Sequence, residues 1–130
     1  MNPEDFKAIL EAGEGQKVEF KRSPNNLGKE IVAFANSSGG KLIVGVENDG
    51  SKYGVSNSND AKSKIRDIAR NCDPSVRIKE IESIENALVA HIPASQQAHQ
   101  HKGAFYVREG ANSQKLNKNE VTELLHSKGE

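Results

Sequence analysis

The chain is poor in the features that would place it quickly. It has one cysteine, Cys72, which excludes an internal disulfide and a cysteine-rich zinc cluster. The helical setting of Cys72 suits a small buried apolar residue rather than a nucleophile. Aromatic residues make up only 5% of the chain, so base stacking is not a strong theme. No apolar run approaches the roughly 20 residues of a membrane span. Met1 to Leu10 lacks the basic start and apolar centre of a signal peptide. The expectation is a cytoplasmic protein with no membrane partner. An excess of charge of one sign is also missing: 18 basic residues face 18 acidic ones, for a formal net charge of 0. No overall positive field draws the chain onto polyanions, so any nucleic-acid contact must come from a local patch. There is no internal repeat and no low-complexity tail. The 130 residues, 35% of them hydrophobic, suffice for one core, which predicts a single domain over 1–130.

What is present is an α+β pattern. Asn2-Pro3-Glu4-Asp5 has a capping side chain, a proline for the first turn and acids against the dipole. Phe6, Ile9 and Leu10 then form one helical stripe that ends near Ala12-Gly13. From Lys17 to Arg22, Val18 and Phe20 alternate with Glu19 and Lys21, the period of a half-buried strand with Glu19 and Lys21 opposite the core. Pro24-Asn25-Asn26 is expected to break that strand and cap a second helix. Leu27, Ile31, Phe34 and Ala35 recur along it until Ser37-Ser38-Gly39-Gly40. The strand KLIVGVE follows, and Asn48-Asp49-Gly50 turns it back into Lys52 to Val55. A third helix is capped from Asn57 to Asp60 and runs to Asp73-Pro74, with Ile65, Ile68, Ala69 and Cys72 inward. Strands are expected over 76–84, 87–92 and 104–108, with a long polar loop, Pro93 to Gly103, before the third of them. A last helix opens at Asn117-Lys118-Asn119-Glu120, with Val121, Leu124 and Leu125 inward. The predicted architecture is a mixed, mainly antiparallel sheet flanked by about four helices.

Two groups of residues carry chemistry. Mg2+ or Mn2+ takes hard oxygen ligands, and a nuclease site needs two or three converging carboxylates. Glu19 on its strand, Glu14 at the strand's entry, and Glu47 or Asp49 at the end of the neighbouring strand fit that need. Glu19-Phe20-Lys21 places an acid and a cation on one strand face, an arrangement in which Lys21 offsets transition-state charge. The same residues equally fit a solvated strand face, and the residues alone leave both readings open. The second group is basic: Lys17, Lys21, Arg22 and Lys29 around the first strand, Lys62, Lys64, Arg66 and Arg70 on the third helix, and Lys102, Arg108 and Lys115 near the last strands. Acids such as Glu80, Glu82 and Glu85 gather elsewhere, so a neutral chain can still show a basic face to phosphates. A solvated helix face accounts for those cations equally well. Tyr106 is the aromatic residue placed to approach bases, and core packing fits it as well. Gly39-Gly40-Lys41 lacks the upstream glycine and the following Ser or Thr of a phosphate loop, which leaves no support for an ATPase. His99 and His101 lie in the Gln-rich loop and read as polar filler.

GEGQKVEFKRS, then KEIVAFANSSGGKLIVGVENDG, a capped basic helix, and FYVREGANS together resemble the Schlafen-AlbA family over about residues 12–125. Helix, glycine pair, strand and acidic turn occur in one order, which makes the match specific. The resemblance implies a nucleic-acid-binding module with RNA or DNA as partner. Some members of the family are metal-dependent endoribonucleases acting on tRNA and rRNA. Their catalytic acids fall on Glu14, Glu19 and the acid after GV, usually Asp and here Glu47, one methylene longer. The resemblance therefore implies Mg2+ or Mn2+ on Glu14, Glu19 and Glu47, with Asp49 as an alternative third acid and Lys21 as electrostatic helper. Phosphate contacts would come from Lys17, Arg22, Lys62, Lys64, Arg66, Arg70, Lys102 and Arg108. Two further readings stand beside it: a catalytically silent DNA-binding regulator, and a protein-interaction module. RNA-cutting Schlafens close two such lobes into a horseshoe. A single lobe therefore predicts a two-fold homodimer, the commonest oligomer of soluble proteins.

Overall fold

A computed structural model describes all 130 residues. The first helix, α1 (Pro3–Ala12), begins at Asn2, whose side chain accepts the Asp5 N–H, and ends at Gly13. Strand β1 (Val18–Lys21) leads to helix α2 (Gly28–Asn36) and on to strand β2 (Gly40–Val44). β2 lies parallel to β1, in register from Val18 opposite Lys41 to Lys21 opposite Val44. Helix α3 (Ser58–Arg70) follows, then the hairpin of β3 (Glu80–Ile84) and β4 (Ala87–Ile92). β4 pairs antiparallel with both β2 and β3, giving a four-stranded sheet in the order β1-β2-β4-β3. A second sheet of three strands is formed by β5 (Gln100–His101), β6 (Ala104–Glu109) and β7 (Asn112–Lys115), before the terminal helix α4 (Lys118–Ser127).

α2 is the centre of the molecule. Eight of its nine residues are buried, as expected of a helix that is apolar around most of its circumference. One side packs on the four-stranded sheet, and Leu27, Ile31, Phe34 and Ala35 join Leu42, Val44, Ile65 and Leu88 in the larger core. The strand β6 covers its other side. Each fully buried Leu, Ile or Phe there contributes about 1.5–3 kcal/mol. The opposite face of the sheet carries a smaller core, in which Phe6 of α1 meets Phe20, Ile43, Val46 and Val89. The alternation of β1 is thereby settled. Val18 and Phe20 point to α1, while Glu19 and Lys21 point to the α2 side, so their face is a packed interface instead of a solvated one.

Several local expectations are corrected. The 24–26 stretch does not cap α2: Leu27 is its N-cap and supplies no side-chain hydrogen bond, and Asn26 is in the left-handed region at φ 58. The ladder of β3 starts only at Glu80. Val76 and Ile78 are buried in the larger core but lie outside the ladder. The turn at 48–50 joins a single bridge, Val46 opposite Lys52, because Gly45 at φ 97 bends the chain out of β2. The loop from Pro93 is ordered inside, with Ala98 and His99 buried at 4% and 3% exposure. His99 is no filler: its backbone N–H donates to Asn36 Oδ1, and its ring nitrogens bond Pro74 O and Ser95 Oγ at 2.7 Å. On α4, Val121, Leu124 and Leu125 are only half-buried. The helix stands on its Asn117–Glu120 capping box and on the contacts of Lys128 with Ser95 O and of Glu130 with the Ala98 N–H. Cys72 is buried, donates to Ile68 O, and has its thiol pushed up to about 11 by burial, so it is inert.

Candidate functional site

The stretch GEGQKVEFK is a dock for FYVREG. Arg108, on β6, passes its guanidinium between β1 and α2. There it donates to Glu19 Oε1 at 2.8 Å and Ser113 Oγ at 3.0 Å through one terminal nitrogen. The other terminal nitrogen donates to Gly15 O at 2.7 Å and Val18 O at 3.4 Å. The guanidinium lies 4.5 Å over the Phe34 ring, and its Nε, fully enclosed, has no partner. Gln16 bonds the Arg108 carbonyl and the Gly110 N–H, closing the β6–β7 turn onto the same segment. The AFANSSGG motif has its physical reason in the same place. Asn36 donates to the carbonyls of His99 and Tyr106, and Ser37 Oγ accepts the Arg108 N–H. The second sheet is thus fastened to α2 by polar contacts.

Glu14 and Glu19 come together beside Arg108. Glu14 Oε2 accepts the Phe20 N–H at 2.9 Å. Burial, then a hydrogen bond shared with Glu19, push the Glu14 carboxyl up to about 7, against the pull of the Phe20 N–H and Arg108. The raised carboxyl is that of Glu14, so Glu14 is the acid that holds a proton near neutrality. Lys21 leans along the same face toward Glu30, with Nζ 3.5 Å from Oε1, an ion pair by distance that makes no hydrogen bond. Burial raises the Glu30 carboxyl, and Lys21 and Lys29 pull it back. Glu30 went unrecognised in the sequence although its spacing announces it: it falls three residues after Leu27 and four before Phe34, inside the apolar stripe.

Glu47 is drawn elsewhere. Its Oε1 pairs with Arg22 Nε at 2.8 Å on the surface. Asp49 lies in the exposed turn, where Ser51 bonds it from its hydroxyl and its N–H and lowers its carboxyl. Tested against a divalent ion, the donor set is two carboxylates already engaged with Arg108 and the Phe20 N–H, and the third acid does not join them. The three residues whose ligand atoms all lie within 4.8 Å of one another are Glu80, Glu82 and His91, across the β3–β4 hairpin, and these could hold a metal ion. Glu82 is already bonded there to His91 and to the Met1 amino group, which lower its carboxyl.

The basic residues divide into three sets. Arg108 is enclosed, with its side chain at 0% exposure, so it offers phosphate nothing. α3 separates the others. Arg66 and Arg70 on one flank share a shallow cleft with Arg77, and none of the three is within 4.0 Å of a carboxylate. Lys64 on the other flank shares a cleft with Arg22 and Tyr53 and makes an exposed pair with Asp60 at 3.6 Å. Lys17 and Lys102 are exposed and Lys62 half-exposed. Tyr106 is half-buried against the larger core. Tyr53, which sequence reasoning passed over, is the large hydrophobic side chain left in solvent, at 57% exposure, and Arg22 lies 4.5 Å over its ring. An aromatic residue in the mostly polar turn segment Ser51 to Tyr53 was the signal available.

Residues 14–117 match the sequence profile of the family described as Schlafen, AlbA_2. The chain belongs to that family. A search of curated proteins finds no match. Among solved structures, the domain is similar to the DIP2311 protein of Corynebacterium diphtheriae, with a TM-score of 0.60 and 21% identity over 84% of this chain. That likeness extends the fold alone, and it spans 23% of the Corynebacterium chain. Membership in the Schlafen, AlbA_2 family is consistent with nucleic-acid binding. No helix of the domain is long and apolar enough to cross a membrane.

Proposed function

We propose that this Schlafen, AlbA_2 domain binds nucleic acid in the cytoplasm through the cations that flank α3. The observation that carries the reading is the cleft of Arg66, Arg70 and Arg77, three guanidiniums without a carboxylate partner on a chain of net charge 0. The charges of Arg108, Glu19, Lys21 and Glu30 are turned inward, so the cations left outside are the ones free for phosphate. Arg66→Glu with Arg70→Glu tests this by anisotropy on a labelled strand across a salt series. Affinity should fall and the slope of log K against log salt should flatten by about 1.4, the share of two phosphate contacts on a single strand. Unchanged affinity and slope would make the cleft an ordinary solvated surface.

A second reading, a Mg2+- or Mn2+-dependent endoribonuclease on structured RNA such as tRNA, is favoured by the crowding of Glu14 against Glu19, which raises the Glu14 carboxyl. Crowded carboxylates of this kind take up a proton or a cation. In that reading Glu47 leaves Arg22, an exposed pair worth at most about 1 kcal/mol, to join them, and Lys21 serves as the helper. Cleavage of tRNA with Mn2+ that is lost in Glu19→Gln supports it, and an inactive wild type leaves a catalytically silent binder. Two-fold pairing of the domain would double the phosphate surface. The half-buried stripe Val121, Leu124 and Leu125 on α4 is the face we assign to it, and a light-scattering mass near that of one 14.1 kDa chain would reject the dimer.

A further inference from the structure

We infer that Tyr53 and Arg22 form a stacking platform for one unpaired base, so that the domain prefers single strands with exposed bases over duplex. The inference rests on the nucleic-acid reading above and assigns it a second, chemically different contact on the far flank of α3 from the arginine cleft. Tyr53 is 57% exposed while the other large apolar side chains are covered. An isolated exposed ring needs no explanation; one that lies beside a guanidinium on a braced backbone does. The backbone under Tyr53 is fixed: the N–H groups of Tyr53 and Gly54 both donate to Gly45 O, at 2.9 and 2.8 Å. Gly45 sits at φ 97, and a Cβ there would come within 2.9 Å of Val55 Cγ2, so the 53–55 segment lies directly on the end of β2. The ring is therefore presented by a braced segment, which keeps the entropic cost of capturing a base low.

Chemistry selects the occupant. The Arg22 guanidinium lies over the ring at 4.5 Å, and a flat aromatic face with a planar cation is the pair on which nucleobases stack without regard to sequence. Lys64 lines the same cleft. The carboxylates that hold Arg22 and Lys64, Glu47 and Asp60, make solvent-exposed pairs, which a phosphate can replace at little cost. Lys64 and Arg70 are six residues apart on one helix, roughly 9 Å along its axis. One strand can then cross α3 with a base on Tyr53 and phosphates on Arg66 and Arg70. A base inside a duplex is stacked on its neighbours and cannot reach the ring.

The test compares a short oligothymidylate, an abasic strand of equal length and charge, and a duplex, each titrated into wild type, Tyr53→Leu and Tyr53→Phe. Wild type should bind the oligothymidylate about 5- to 150-fold tighter than the abasic strand, the range that stacking of one base supplies. Tyr53→Leu should bring the two ligands level, and Tyr53→Phe should keep the preference. The chain has two tyrosines and no tryptophan, so in a Tyr106→Phe background the emission of Tyr53 reports the contact directly. The oligothymidylate should quench it and the abasic strand should not. Equal affinity of wild type for both strands, or a preference that survives Tyr53→Leu, overturns the platform while leaving phosphate binding intact. Failure to bind any of the three ligands overturns the nucleic-acid reading itself.

Discussion

Replacing Arg108 by Met keeps most of the volume of the buried stem and removes the head. What remains is a Glu19 carboxylate at 12% exposure without its counter-charge and a Ser113 hydroxyl without that donor, while the carbonyls of Gly15 and Val18 keep only each other's backbone N–H. At 2.8 Å the attraction between the two charges is about 6 kcal/mol at an effective dielectric of 20. Desolvation cancels much of that in the intact pair. It does not do so once a single partner remains, which is why breaking a buried pair costs about 3–5 kcal/mol. For a domain of this size each kcal/mol moves Tm by roughly 3–4 °C, so Arg108→Met should lower Tm on the order of 10–20 °C. Urea denaturation followed by far-ultraviolet circular dichroism measures the same loss as a lower midpoint with an unchanged slope. Adding Glu19→Gln to Arg108→Met should recover part of it, because no charge is then stranded, with a coupling on the order of 0.5–3 kcal/mol between the two sites. A cost under about 1 kcal/mol for Arg108→Met, or strict additivity in the cycle, would refute the claim that this pair fastens β6 to β1.

The remaining expectations concern protons and glycine. The Glu14 carboxyl is raised from 4.5 to about 7 in the folded state, so between those values the native protein holds a proton that the unfolded chain has released. Stability should therefore fall as pH rises across that window and level off above it, and Glu14→Gln should remove that part of the slope; a wild-type stability that rises over the same window contradicts it. Gly39 sits at φ 78, and a Cβ there would meet Ile92 O at 2.7 Å. Gly39→Ala should cost about 2–4 kcal/mol from backbone strain and a contact that cannot relax, and an unchanged denaturation midpoint would contradict it.

The elements legible in the sequence were those with a local physical signature. Asn2, Asn57 and Asn117 cap α1, α3 and α4 as their spacing announces. The apolar run of β4 reads directly because it is buried on both faces. Of the second sheet only β6 showed itself, as the strand expected over 104–108. β7 is Asn-Ser-Gln-Lys, with no hydrophobic alternation to mark it, because the polar contacts of Asn36, Ser37 and Arg108 and the packing of Tyr106 on β6 fasten the sheet without an apolar residue from β7. The candidate site was legible in half. Glu14 and Glu19 do meet, since five residues carry the chain from the entry of β1 to its first inward position. The destination of Glu47 depended on Gly45, whose left-handed φ swings the end of β2 toward Arg22 and away from the pair. No period in the sequence encodes such a bend.

The same geometry explains how a neutral chain can offer a binding surface. A polar face of β1 packed on α2 needs internal neutralisation, and Arg108 and Lys21 supply it to Glu19 and Glu30. Had those carboxylates faced solvent instead, they would have stood among Lys17, Arg22 and Lys29 and cancelled their field. Turned inward, the two acids cancel against two cations and add nothing to the field outside, while Arg66, Arg70 and Arg77 have no carboxylate within 4.0 Å. The balanced seam, set by the placement of α2 over β1, and the open arginine cleft together let a neutral chain show a local basic surface. Loosening the seam should therefore weaken binding even though none of its residues touches the ligand. Lys21→Met would expose that link: Glu30 would lose its nearest cation and take up a proton at a higher pH, while affinity measured well above that pH should decline with the arginine cleft intact. Binding that is indifferent to Lys21→Met across the whole pH range would separate the two and make the inward charges a matter of stability alone.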